Sequence, residues 1–294
     1  MFYRRKLILA LLQSFNGKIG KVALQKLLFL ISKQQAEPTY DFVPYHYGCY
    51  SFSANADLVA MSHKGQISND GNCYFKVDLN NYTNKLFEAD KQILRNTIKE
   101  FGKMSSQTLT KHTYLNYHYY AINSTIAKSI LNKSQFDLIQ KARPSSLEKV
   151  LYTIGYEGIS LESYLNKLIR HDIKILIDVR NNPLSRKFGF SKNQLKSFCE
   201  SLGINYIHIP EVGIQSEYRQ ELNSQTDYDK LFNKYRKNNL KQTISYQEQI
   251  LKLVAKHHRI ALTCFEADIH QCHRLSLSDA ITELPNWKFE VRHI

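Results

Sequence analysis

The chain has 294 residues, 43% hydrophobic and 22% charged, with a net charge of +14. That length admits two domains with separate cores, and the composition is that of a globular protein rather than a fibrous or disordered one. No run approaches the ~18 apolar residues that a membrane helix requires, so no membrane partner is expected.

The stretch Leu7–Leu12 behind Arg4, Arg5 and Lys6 is too short, and too soon interrupted by Gln13, for a secretory signal. Cys49, Cys73, Cys199, Cys264 and Cys272 form no disulfide framework, which predicts reduced thiols in the cytoplasm. Charge is uneven. Residues 1–150 carry 20 lysines and arginines against 10 acidic residues, and residues 151–294 carry 20 against 16. A basic half beside a nearly neutral one predicts that the first half meets a polyanion, with double-stranded DNA the leading candidate.

Leu7, Ile8, Leu11, Leu12 and Phe15 share one helical face, and Asn16-Gly17 closes that helix. Leu24, Leu27, Leu28 and Ile31 repeat the spacing in a second helix, which ends before Pro38. A third helix spans Ser53–His63, and Ile67 to Leu79 reads as a hairpin turning at Asp70-Gly71. Three helices followed by a hairpin outline a winged helix, which places one helix in the major groove and a wing beside it. The same outline also serves protein docking. Leu24-Gln-Lys-Leu-Leu-Phe-Leu, followed by Tyr40-Asp-Phe-Val-Pro-Tyr-His-Tyr-Gly-Cys-Tyr-Ser51, resembles the SocA-like (Panacea) antitoxin domain, with Cys49 where that family usually has proline. The resemblance implies a protein partner for residues 1–82 as the alternative to DNA. Residues 83–147 read as a helical connector ending at Ala142-Arg-Pro-Ser-Ser146.

From Val150 onward, strands alternate with helices: strands at 150–154, 174–179, 206–209, 260–264 and 288–293. That alternation predicts an α/β domain over 148–294, a Rossmann-like doubly wound parallel sheet preceded by the mainly helical, winged-helix-like N-terminal domain. Ligands of such sheets bind at the carboxyl ends of the strands. Four segments sit there: Thr153-Ile-Gly-Tyr-Glu-Gly, Ile177-Asp-Val-Arg-Asn-Asn-Pro-Leu-Ser, Gly203-Ile-Asn-Tyr-Ile-His-Ile-Pro-Glu-Val-Gly, and Cys264-Phe-Glu-Ala-Asp with Cys272-His-Arg. In type and order they resemble the family called domain of unknown function 488, though Tyr156 and Glu157 stand where that family commonly has His-Ser. The resemblance implies a Rossmann-like domain whose motifs converge at one sheet edge, often beside nucleic-acid or defence genes.

The chemistry narrows by exclusion. No Gly-x-x-x-x-Gly-Lys-Ser/Thr or Gly-x-Gly-x-x-Gly loop is present, which argues against a triphosphatase or dinucleotide enzyme. Cys264, His270, Cys272 and His273 have a spacing that matches no usual zinc finger or ribbon. No metal site is therefore assigned and no cofactor is expected, with a divalent ion as the alternative. Asp178 and Glu266, each at or just past the end of a strand, are the catalytic candidates. A carboxylate there can polarise water or stabilise positive charge on a sugar ring. The substrate-binding candidates are Tyr156 and Phe188 (with Phe190) for stacking, Arg180 and Arg274 for phosphate or base, and His208 and His273 for proton donation. Asp268 and Cys272 complete that set. An Asp178–Arg180 ion pair that only orients the loop is the competing reading.

Together these residues predict a DNA-binding enzyme of bacterial anti-phage defence, a DNA glycosylase excising a modified base. The alternatives are a metal-dependent nuclease holding an ion on Asp178, Glu266 and Asp268, a non-enzymatic antitoxin or transcriptional regulator, and a nucleotide sensor.

Overall fold

Pro144, which cannot continue a helix, marks the division of the chain. In the computed structural model, residues 1–215, 222 and 224–294 are described, and they form two units, Met1–Arg143 and Pro144–Ile294.

The first unit is built on α1 (Tyr3–Ser14), whose residues 7–12 are all fully buried. A helix that is apolar on every side belongs at the centre of a core. It stops where Asn16 (φ 54°) and Gly17 (φ 83°) take the left-handed conformation. The chain continues through β1 (Lys18–Gly20), α2 (Lys21–Ser32), the short hairpin β2 (Val43–Tyr45) and β3 (Gly48–Tyr50), then α3 (Phe52–His63), β4 (Ile67–Asn69) and β5 (Cys73–Lys76). Among the described residues, β1, β5 and β4 form an antiparallel three-stranded sheet in that order. Strand β1 has no apolar alternation and escapes sequence reading. The turn between β4 and β5 is held by Asp70 Oδ1, which accepts from the amides of Asn72 and Cys73.

Four helices follow: α4 (Glu88–Phe101), α5 (Ser106–Asn116), α6 (Ala127–Ile130) and α7 (Lys133–Ala142). They are not a separate connector. Leu86, Leu94, Phe101 and Leu109 are buried in the same core as Leu7, Leu11 and Leu28. Asp57 of α3, 1% exposed, ties this unit together by accepting from Arg5 Nε (2.7 Å), Arg4 Nη2 (3.2 Å) and the Tyr40 hydroxyl (2.9 Å).

The second unit runs β6 (Val150–Gly155), α8 (Leu161–Arg170), β7 (Ile175–Asp178), α9 (Lys192–Ser201), β8 (Asn205–His208), α10 (Gln225–Tyr235), α11 (Ile244–His257), β9 (Arg259–Cys264), α12 (His273–Thr282) and β10 (Glu290–His293). Among the described residues the strands form one parallel sheet in the order β10-β6-β9-β7-β8. Strands β7 and β9 are buried along their whole length, as strands covered on both faces are. Ile175, Ile177, Ile260 and Leu262 pack with Phe232, Ile250, Val254, Leu277 and Ile281, so α10, α11 and α12 cover that face. The residues between them point the other way, and Tyr164 of α8 reaches Thr263 on that face, hydroxyl to hydroxyl at 2.7 Å. No helix among the described residues is long and apolar enough to cross a membrane.

Sequence reading put the last helix at Leu275, leaving His273 and Arg274 in a loop. The structure begins α12 at His273, and both residues are buried. The shift follows from Cys272, whose extended backbone occupies the N-cap and lets the next residue enter the helix.

Replacing Asp57 by alanine leaves two guanidinium groups facing a buried void. The variant is expected to lose about 3 kcal/mol of unfolding free energy in urea denaturation, with the far-UV spectrum of the folded state retained.

Candidate functional site

The carboxyl ends of β6, β7 and β9 carry most of the candidate residues. Each strand delivers a short polar segment there, and one buried ion pair ties the segment after β7 to the one after β6. Arg180, 6% exposed, donates Nε to Asp178 Oδ1 (2.8 Å) and Nη2 to Asp178 Oδ2 (2.5 Å), and its own amide also donates to Oδ1 (3.1 Å). Its Nη1 donates to the Tyr156 hydroxyl (2.7 Å) and the Phe190 carbonyl (2.9 Å). Asp178 is fully buried and accepts one further bond, from the Tyr206 hydroxyl at 2.6 Å. Burial works against the Arg180 cation, but its bonds to Asp178 and that carboxylate's charge push its pKa above the ordinary arginine value. Burial and the charge of Asp178 push the Tyr206 hydroxyl up, so it stays protonated and donating.

This arrangement corrects one expectation. Asp178 and Glu266 do not face one cleft together. Asp178 pairs with Thr263 in register, on the side of the sheet that Tyr164 covers, and is buried behind Arg180. Glu266 is half-buried and is bonded on the other side, where Cys264 Sγ donates to its Oε2 at 3.1 Å. Asp178 therefore positions Arg180.

The remaining candidates separate into two groups. Tyr156 is buried, stacked on Phe190 (4.2 Å between centroids, 11° between planes) and met edge-on by Phe265. Its ring is committed to packing. Phe188 is exposed and lies against Phe198 of α9. His208 bonds through Nε2 to the Arg180 carbonyl at 2.9 Å and so braces the same loop. Asp268 is exposed and caps a single turn through the His270 amide.

Cys272, His273 and Arg274 form the second group with Cys264. His273 Nε2 meets the Val179 carbonyl at 3.1 Å, while its Nδ1 faces Cys264 Sγ (3.7 Å) and Cys272 Sγ (4.0 Å). Arg274 donates Nε to Cys272 Sγ (3.1 Å) and Nη2 to the Glu266 carbonyl (2.6 Å). Burial pushes the Cys272 thiol well above its usual pKa. The two sulfurs and Nδ1 lie within 4.8 Å of one another.

Between these groups lies a hollow of about 320 Å³, lined by Arg180, Asn181, Asn182, Ser185, Arg186 and Phe265 among others. Sequence reading missed Asn181, Asn182 and Arg186. Their signal was present in Arg180-Asn-Asn-Pro-Leu-Ser-Arg, a polar run straight after a buried strand, with a proline that ends regular structure. Tyr206 was missed because it reads as an ordinary strand residue, and only the β7–β8 register brings it to Asp178.

Two glycines are required by this packing. A side chain at Gly155 would place its Cβ 1.9 Å from the Glu266 carbonyl oxygen, and one at Gly213 would come 2.4 Å from the Asn181 amide nitrogen. Both therefore sit where one loop's backbone passes directly over another.

The site and sheet define an α/β unit with a hollow at its carboxyl edge. Residues 160–281 match the family model described as Domain of unknown function DUF488. The match takes in the second, third and fourth of the segments named from the sequence and begins after the first. No curated protein matches the chain.

Asp178→Ala strands the Arg180 cation in the interior and is expected to cost about 3–5 kcal/mol in chemical denaturation, whereas Tyr206→Phe costs about 1 kcal/mol. Gly155→Ala forces the Glu266 loop outward; the expected loss is about 1–3 kcal/mol, checked by thermal melting.

Proposed function

We propose that residues 144–294 hold a nucleotide or nucleobase in the hollow at the sheet edge, and that the chain is a DNA-directed hydrolase excising a base. The observation that carries this reading is the hollow itself. Its volume of about 320 Å³ lies at the lower end of the ~300–1,000 Å³ usual for small-molecule sites. The Arg186 guanidinium, the side-chain amides of Asn181 and Asn182 and the rings of Tyr156 and Phe265 line it, with Arg180 in its wall, and these are group types that hold phosphate, pair with a base edge and stack.

Arg180 enters fully ordered by Asp178, so little of its freedom is left to lose on binding. Glu266, half-buried beside the hollow, is the carboxylate assigned to proton transfer. The excess positive charge of residues 1–150 supports a polyanionic partner. A helix-rich unit with the sheet order β1-β5-β4 supports a winged-helix reading, and the resemblance to the SocA-like domain supports protein docking as its second use.

One observation favours a binding module without chemistry. Asp178, one of the two expected catalytic acids, is saturated with bonds and buried.

The chain is to be incubated with plain and modified duplex DNA in the presence of EDTA. Abasic sites are expected, with Glu266→Gln slowing their formation at least ~100-fold and Arg186→Ala raising KM. Strand cuts that EDTA abolishes indicate a nuclease instead. Full activity in both folded variants removes the hollow from the mechanism, and DNA binding without any product leaves the binding module.

A further inference from the structure

We propose that Cys264, Cys272 and His273 form a three-ligand zinc site, the fourth position being left to water. The inference rests on their geometry and is independent of the nucleotide reading above.

A tetrahedral zinc with Zn–S near 2.3 Å and Zn–N near 2.05 Å separates a sulfur from a nitrogen ligand by about 3.6 Å. His273 Nδ1 stands 3.7 Å from Cys264 Sγ and 4.0 Å from Cys272 Sγ, and the three donor atoms lie within 4.8 Å of one another. Both nitrogen–sulfur distances therefore lie within a few tenths of an ångström of the tetrahedral value. His273 is already set as a ligand. Its Nε2 donates to the Val179 carbonyl at 3.1 Å, which holds the proton there and leaves the Nδ1 lone pair directed at the sulfurs. That outer bond is the usual support of a metal-bound imidazole.

The charges also balance. A zinc ion displaces the two thiol protons, so the buried charge at the sulfurs is the same before and after. Arg274 Nε donates to Cys272 Sγ at 3.1 Å, a bond that strengthens when the sulfur becomes a thiolate. The Glu266 carboxylate lies 3.1 Å from Cys264 Sγ.

Spacing concealed the site. Cys264 ends β9, while Cys272 and His273 open α12, so the ligands come from a strand end and a helix N-terminus rather than from a finger or ribbon. His270, grouped with them in the sequence, is exposed and stands outside the three-ligand cluster.

The test uses the full chain produced in zinc-supplemented medium, with metal content read by elemental mass spectrometry and cobalt(II) exchanged as a spectroscopic probe. One ion per chain is expected, and the cobalt form should show thiolate-to-metal charge-transfer absorption with tetrahedral d–d bands. Cys264→Ser, Cys272→Ser and His273→Asn are each expected to weaken cobalt binding by ~10–100-fold or more, while Cys73→Ser leaves it intact. If the ligand variants do not fold, the wild-type spectrum decides alone. Absence of charge-transfer bands overturns the proposal. So does a Cys264–Cys272 disulfide peptide in the natively purified chain, or metal content unchanged in folded Cys264→Ser and Cys272→Ser.

Discussion

An ion pair shut away from water, Asp178 with Arg180, organises the working edge of the second unit. Taking two charges out of water costs several kcal/mol per ion, and attraction alone does not repay it. Here the remaining valences are filled: Tyr206 donates to the carboxylate, and Tyr156 and the Phe190 carbonyl accept from the guanidinium. The pair thus links the loop after β6, the end of β7, strand β8 and the segment before α9. Each is held by a bond of fixed direction, so the edge is stiff although it is made of loops.

The elements of this fold were largely legible in the sequence because apolar spacing dictates them. Leu7, Leu11 and Leu12 announce a helix, and Ile175–Ile177 and Ile260–Leu262 announce buried strands. Three features were not legible. Strand β1 carries only Ile19 as a buried apolar residue, too little for a periodic signal. The membership of residues 83–142 in the first core depends on contacts with α1 and α2 that no local pattern encodes. The position of Asp178 required knowing which strand lies beside which: its partner Tyr206 is 28 residues distant. Arg180, His273 and Arg274, expected to meet substrate, are buried, with their donors met inside.

The glycines make the same point from the backbone. Gly155 and Gly213 lie in segments recognisable from the sequence, but their purpose there is not. The structure supplies it: at each, a second loop crosses within the space a methyl group would fill. The two crossings bring Glu266 against β6 and Gly213 against Asn181, and both sides of the hollow depend on them. The thiol and imidazole cluster lies just beneath, sharing Cys264 with the hollow's wall.

Strand order has a consequence for how the protein is made. Strands β6 and β7 do not touch each other; β9, more than 80 residues after β7 begins, lies between them. A growing chain that has emitted β6, β7 and β8 holds only the β7–β8 pair of its final ladder, with β6 lacking either neighbour. The last-but-one strand must enter between ribbons already present, at a long loop-closure distance. Biosynthesis therefore completes this sheet edge at once and late, and a truncated product ending before residue 259 contains most of the polar loops but no framework to aim them.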